Sequence, residues 1–351
     1  MSLSQDARRR FDRQIRFASL GEAGQARISQ ARVLLAGCGA LGGSLAQTLV
    51  RCGVGTLVLV DRDVVELSNL PRQVLFEERH LGAPKAEAAR EALAAIGGPT
   101  RVEAHSAHLD ADNLDELAEG AALLLDGTDN LATRYLLNDY AIERGIPWIY
   151  GGVVGGSGLV LAVLPGRGAC LRCLFPDPPA PGSLATCDTA GVILPAVSAV
   201  AAFQAGAALR LLAAGQAERE GFEPQLLELD PWTPQVRRLP APRDPDCPCC
   251  GANEFPFLRD AARSTAISLC GRNTVQVRPA MPTATGRPRA DLARLAERVR
   301  AGAGDVRDLG TILRFDAEGC RVTVFADGRA LIEGTSDLDR ARALYDRFVG
   351  S

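Results

Sequence analysis

Apolar residues in the first half of the chain fall into short unbroken runs, separated by stretches whose apolar positions recur every three or four residues. Runs of the first kind predict strands buried on both faces, and stretches of the second kind predict amphipathic helices. On this basis strands are expected at 33–35, 57–60, 101–104, 121–125, 147–150 and 159–164. Helices are expected from just after Gly42 to about Cys52, and over 85–95, 112–119 and 131–144. In the second of these Ala88, Ala89, Leu93 and Ile96 share one side. Residues 1–31 are mostly polar and read as helical. Strands alternating with helices through residue 150 argue for a parallel sheet covered by helices on both faces.

The run 192–209 carries no charge and is long enough to cross a bilayer. It consists mainly of Ala and Gly, with Pro195, Ser198 and Gln204 inside it, so it is read as a buried helix of a large domain rather than a membrane span. One or two strands follow within 222–236, and the pattern changes near 253–263. Beyond that point lie a strand at 275–278, a helix at 291–301 with Leu292, Leu295 and Val299 on one face, and strands at 311–315, 321–325 and 329–333. Asp327-Gly328 between the last two is a hairpin signal. A closing helix at 337–349 turns Leu338, Ala341, Leu344, Tyr345 and Phe348 inward, with Ser336 expected as its cap. The division is therefore a first domain over 1–255 and a small α+β domain over 265–351.

Composition narrows the class of protein. At 47% hydrophobic and 23% charged, the 351 residues have the make-up of a globular chain, and a net charge of −3 without a dense basic tract argues against nucleic-acid binding. No apolar segment of signal-peptide type stands near the start, so the cytoplasm is expected, and the ten cysteines are expected reduced, metal-bound or reactive. Among 39 basic side chains a single one is lysine, Lys85 in Gly82-Ala83-Pro84-Lys85. Either some lysine simply has to be the last, or a compact ammonium is kept where arginine is used everywhere else because it suits a crowded polyphosphate site.

The chemistry clusters in a few stretches. Gly37-Cys38-Gly39-Ala40-Leu41-Gly42 lies between a strand and a helix, and Asp61 ends the next strand. Glycines let a backbone approach phosphate, the helix start offers free N–H groups, and the acid suits a ribose hydroxyl. Residues 64–73, including Ser68, Asn69, Arg72 and Gln73, read as a loop over a nucleotide. Asp129 and Asn130 follow another strand end and fall on the same edge as Gly39 and Asp61; either a metal or nucleotide role or an N-cap role fits Asp129. Cys170 and Cys173, with Cys247 and Cys250, form two knuckles of the spacing that builds a closed, structural zinc site, although Cys249 could replace Cys250. Cys187 stands in a polar loop away from these pairs, as a candidate nucleophile or a buried free thiol.

Taken together these residues resemble the ubiquitin-activating-enzyme-like adenylyltransferases of the ThiF/MoeB family, which activate sulfur-carrier proteins. The resemblance covers about residues 8–250. It rests on Arg10-Phe-Asp-Arg13-Gln14, the 37–42 loop, Asp61-Arg-Asp63, Ser68-Asn69-Leu-Pro-Arg72-Gln73, Gly82-Ala-Pro-Lys85, Thr128-Asp129-Asn130, the two cysteine knuckles and Thr186-Cys187 with Ala190-Gly191-Val192. It implies a Rossmann-like α/β fold, Mg·ATP, and a small ubiquitin-fold sulfur carrier whose Gly-Gly carboxylate is adenylated for thiamine thiazole or molybdopterin synthesis. By the same resemblance, Gly39, Ala40 and Gly42 pack on the nucleotide and Asp61 holds the ribose, with Asp63, Ser68 and Gln73 lining the site. Asn69, Arg72 and Lys85 address the phosphates, Asp129 carries magnesium beside Asn130, and Cys187 takes the place of the family's reactive cysteine. Arg13 would reach into a partner subunit's site, making a homodimer. A cysteine desulfurase or rhodanese would supply sulfur. Cys270-Gly271-Arg272 hints at a fused rhodanese, but the β-rich sequence behind it does not fit, and carrier docking or stabilisation suits the C-terminal domain better.

Two rivals remain open at this point. A nicotinamide-dependent dehydrogenase would use the glycine loop and Asp61 but leave Asn69, Lys85 and Arg13 idle. An inactive nucleotide-binding scaffold would not need the full polar set.

Overall fold

Alternate residues of the apolar strands face opposite ways, and this divides the core of the first unit in two. Val33, Leu35, Leu57, Leu59, Leu123, Leu125 and Ile149 face one layer of helices, whereas Leu34, Ala36, Val58, Val60, Leu124 and Trp148 face the other. The arrangement is that of a computed structural model, which describes residues 3–179, 187–215, 221–259, 266–269, 273–278, 290–300 and 302–350. Two compact units are formed, Met1–Ala261 and Ala262–Ser351.

The sheet of the first unit has eight strands: β1 (Arg32–Ala36), β2 (Thr56–Val60), β3 (Arg101–His105), β4 (Leu123–Asp126), β5 (Trp148–Val154), β6 (Ser157–Val163), β7 (Leu226–Asp230) and β8 (Gln235–Leu239). Their order is β3-β2-β1-β4-β5-β6-β7-β8. The first five are parallel, and β6 to β8 continue the sheet antiparallel. The expected Rossmann-like α/β sheet, mostly parallel with helices on both faces, is therefore the observed one. Helices Ala40–Cys52, Lys85–Ile96 and Leu194–Ala213 supply one layer, and Leu131–Arg144 belongs to the other. The helix expected over 112–119 contracts to Leu114–Leu117.

Leu194–Ala213 is the one helix among the described residues long and apolar enough to cross a membrane. It is a core helix, lying against Ala40–Cys52 and β5. Its central Gln204 is fully buried, and Nε2 donates to the carbonyls of Asp126 (2.9 Å) and Ile149 (3.3 Å). Small side chains allow that close approach, which explains the alanine-rich composition.

The second unit carries six antiparallel strands: β9 (Ala266–Leu269), β10 (Thr274–Val277), β11 (Gly304–Asp308), β12 (Ile312–Ala317), β13 (Cys320–Phe325) and β14 (Ala330–Glu333), in the order β11-β12-β13-β14-β10-β9. Helices Leu292–Val299 and Leu338–Phe348 share its core with Val275, Phe315 and Ile332. The Asp327-Gly328 hairpin is present, with Gly328 at φ 82°. The cap of the last helix is Asp337 rather than Ser336: its Oδ1 accepts from the N–H groups of Asp339 and Arg340, and a carboxylate satisfies two donors where a hydroxyl serves fewer. β11 escaped the sequence reading because its side chains are mostly exposed and polar.

Candidate functional site

Ala36 of β1 pairs with Val60 of β2 on one side and with Asp126 of β4 on the other. The loops leaving these three strands therefore emerge together at one edge of the sheet. Gly37 is held at φ 87°, and its N–H donates to the Val60 carbonyl at 2.8 Å. A Cβ on Gly42 would lie 1.9 Å from the Gly37 carbonyl oxygen, and one on Gly127 would lie 2.6 Å from Gly42 Cα. These glycines pack the β1 and β4 loops backbone on backbone. Gly39 differs: its open side meets only Gln73 Nε2, at 3.8 Å. The 13-residue helix that begins at Ala40 has no side chain capping its start and no acid in its first turn. Its leading N–H groups are free for an anion.

Asp61 is bound into this loop. Its Oδ2 accepts from the Cys38 N–H at 2.6 Å and its Oδ1 from the Asp63 N–H at 2.8 Å. Burial pushes its carboxyl upward from the usual range, against the pull of the Lys85 ammonium. Lys85 opens its helix at 2% exposure, with Nζ 3.3 Å from Asp63 Oδ2. A cation is thus buried among the strand-end acids.

The 64–73 loop contains a short turn, Leu67–Asn69. Glu66 is its N-cap, with buried Asn69 reaching back so that its Oδ1 accepts from the Glu66 N–H at 3.2 Å, and Ser68 Oγ donates to Glu66 Oε2 at 3.3 Å. Arg72 donates to the Ser68 carbonyl at 2.7 Å. Gln73 is buried, yet its Oε1 has no partner. An orphaned buried amide beside the open face of Gly39 fits a site shaped for a polar ligand.

Asp129 is exposed just before helix Leu131–Arg144. The N-cap is Asn130 rather than Asp129, its Oδ1 accepting from the Thr133 N–H at 3.1 Å. Arg13 is not gathered with this group: its side chain is 87% exposed, 3.8 Å from Asp12. Its neighbours anchor the segment, Phe11 by packing on Gly53 and Arg10 by donating to the Gly97 carbonyl at 2.8 Å.

Sequence reasoning missed the buried pair behind Asp129. Arg134 Nε donates to Asp126 Oδ2 at 2.9 Å, and Asp126 is fully buried. Burial raises the Asp126 carboxyl and the Arg134 guanidinium opposes it. The signal available was an acid closing an apolar strand, with an arginine one turn into the next helix.

The Sγ atoms of Cys170, Cys173, Cys247 and Cys250 lie within 4.8 Å of one another. Cys170–Cys247 and Cys173–Cys250 are 3.6 and 3.4 Å apart. A tetrahedral zinc with arms of about 2.3 Å sets its sulfurs roughly 3.8 Å apart, so the four fit it and leave no open position. Burial pushes the Cys173 and Cys250 thiols up, and the neighbouring Cys170 adds to it, so ionised thiolates here call for a cation. Cys249 lies outside this group of four, and its Sγ accepts from Asn138 Nδ2 at 3.2 Å. Cys187 opens the short helix Cys187–Ala190. The segment after it is docked on the β5–β6 turn through Gly155 N–H to the Gly191 carbonyl at 2.9 Å. The Cys187 side chain, Thr186 and Cys270-Gly271-Arg272 lie outside the described residues.

A profile of the ThiF family matches residues 11–249. The sulfur carrier protein ThiS adenylyltransferase of Bacillus subtilis is 40% identical over 346 residues, covering 97% of this chain and 99% of that protein. The SAMP-activating enzyme E1 of Haloferax volcanii is 38% identical over 273 residues, covering 77% of this chain and 100% of that protein. Among solved structures, E. coli MccB superposes with a TM-score of 0.60 at 21% identity, over 71% of this chain and 74% of that one, which speaks to the fold alone.

Proposed function

Because the chain belongs to the ThiF family, we propose that it is an ATP-dependent adenylyltransferase acting on the C-terminal Gly-Gly carboxylate of a small ubiquitin-fold sulfur carrier. The carboxylate oxygen bonds to the α-phosphorus, the bond to the pyrophosphate oxygen breaks, and the products are an acyl adenylate and pyrophosphate. The observation that carries the reading is the buried Lys85 ammonium, set beside an open glycine loop at the ends of three registered strands.

The chemistry needs charge placed in advance rather than a proton shuttle. The nucleophile is already ionised, so no general base is required, and the site gathers Lys, Arg and Asp rather than His. Gly39, Ala40 and Gly42 form the floor beneath the nucleotide, with Gly39 leaving room and the helix start meeting phosphate. Asp61 holds the ribose and ties that contact to the loop. Asp63 orients Lys85; Lys85, Arg72 and Asn69 address the phosphates, with Ser68 and Gln73 beside them. Asp129, next to Asn130, would hold magnesium, which when bound spreads the triphosphate charge and eases departure of pyrophosphate. The four clustered cysteines would hold zinc as a closed structural knot.

Arg13, exposed in one protomer, reaches the site of a partner in a homodimer. Cys187 takes part in a later sulfur step fed by a cysteine desulfurase or rhodanese, in the cytoplasm. Similarity extending through the C-terminal unit to a ThiS adenylyltransferase favours the thiamine thiazole branch over molybdopterin. The test is carrier-dependent exchange of labelled pyrophosphate into ATP. NAD binding in place of ATP binding, with no exchange, would turn the reading to a dehydrogenase.

A further inference from the structure

Arg134 has no part in the reaction as written, yet it is among the most connected side chains of the first unit. Besides Asp126 it donates through one terminal nitrogen to the carbonyls of Thr128 (2.6 Å) and Gly151 (3.0 Å), and its guanidinium lies over the Tyr150 ring at 5.2 Å. Its side chain is 12% exposed. Asp126 answers from the other end: Oδ1 accepts from the Thr128 N–H (2.9 Å) and hydroxyl (2.8 Å), and Oδ2 also faces the Gly151 N–H at 3.4 Å. The pair thus grips Thr128 by its N–H, hydroxyl and carbonyl, and bolts the turn to β5. The next residue is Asp129.

We propose that Arg134, paired with Asp126, is a positioning residue that fixes the 126–130 turn so that the Asp129 carboxylate meets the metal-bound triphosphate in one orientation. The inference rests on the adenylyltransferase reading, which gives Asp129 its role. A planar fork presents several donors in fixed directions, which a lysine cannot reproduce. Charge matters equally. Asp129 and Arg134 interact electrostatically. With Asp126 balancing Arg134, the turn holds one net negative charge, on the residue that has to face a cation.

Arg134→Gln alone leaves a buried carboxylate unpaired and risks the fold. The decisive protein is the full chain carrying Asp126→Asn and Arg134→Gln together, a neutral pair of similar shape. Calorimetry with Mn²⁺·ATP reads affinity, and a melting curve reads folding. The neutral pair is expected to melt cooperatively, to bind Mn²⁺·ATP about tenfold more weakly, and to lose nothing further when Asp129→Asn is added, because coupled residues are not additive. Wild-type affinity in the neutral pair, or a tenfold loss that persists on the Asp129→Asn background, overturns the proposal. Should the neutral pair fail to melt cooperatively, Arg134→Lys is measured in the same cycle, with the same outcomes deciding. The reading beneath is tested apart: if the wild-type chain binds Mn²⁺·ATP but exchanges no pyrophosphate with any glycine-tailed carrier, that reading fails while the cycle on Asp129 still stands.

Discussion

Lys85 is joined to Asp63 twice, by its Nζ to the carboxylate at 3.3 Å and by its backbone N–H to the Asp63 carbonyl at 2.9 Å. The helix start and the ammonium are thereby fixed to the end of β2 together. Replacing Lys85 by Met keeps most of the side-chain volume and removes the charge. Pyrophosphate exchange should then fall by about 10²–10³-fold, the scale of losing one preorganised charge in a shielded site. Lys85→Arg should not restore it, because at 2% exposure the larger fork has no room. Exchange at the wild-type rate in Lys85→Met would remove Lys85 from the phosphate site, and in Lys85→Arg it would show that the fork does fit.

The glycines of the loop should separate into two kinds. Gly42→Ala drives a methyl to within 1.9 Å of a backbone oxygen, so it should cost about 3 kcal/mol in denaturant unfolding. Gly39→Ala meets nothing closer than 3.8 Å and should leave unfolding unchanged while weakening ATP binding. Equal melting temperatures for the two variants would contradict the packing described.

Metal content should distinguish the adjacent cysteines. Cys250→Ser should lose zinc and lower the melting temperature, as chelation should in the wild type. Cys249→Ser should keep zinc, because its sulfur lies outside the group of four. Elemental analysis of the purified variants decides between them.

If Arg13 serves a partner's site, two disabled proteins should repair each other. Arg13→Ala and Asp129→Ala should each abolish exchange alone. Mixed after dissociation and reassociation, they should regain it, since some dimers then hold one site with both groups intact. No recovery in the mixture, with dimers confirmed by sedimentation, would place Arg13 in its own protomer's function.

An acid limb of stability should trace to Glu103. Arg32 donates to both its oxygens, at 3.0 and 2.8 Å, and this hydrogen bonding lowers its carboxyl below the ordinary 4.5. A lowered acid stabilises the fold fully above its unfolded value and ceases to do so as pH falls through the folded one. Glu103→Gln should therefore destabilise the chain at neutral pH, and the difference should shrink below pH 4.5. A difference that held constant into acid would point to packing instead of charge.

Strands buried on both faces were legible because nothing but apolar residues fits there, and the expected 131–144 helix matches Leu131–Arg144 to the residue. The strand-end loops were legible because glycine, aspartate and lysine at those spacings serve few other purposes. What stayed hidden was pairing between distant residues. Asp126 binds a helix residue eight positions on and a strand beyond. Choosing Cys250 over Cys249 likewise depends on which sulfur comes within reach of Cys173, a contact across 77 positions of chain. Hydrophobic period carries no information of that kind.

A chain with one lysine also carries its own reporter. An amine-directed acylating reagent finds a single lysine side chain to modify, and that side chain is buried against Asp63 at the proposed triphosphate site. With the label on the α-amine set apart by peptide mapping, the fraction of Lys85 acylated with and without ATP then reads occupancy of that site. Apart from three histidines, every other basic side chain is a guanidinium, silent to the reagent.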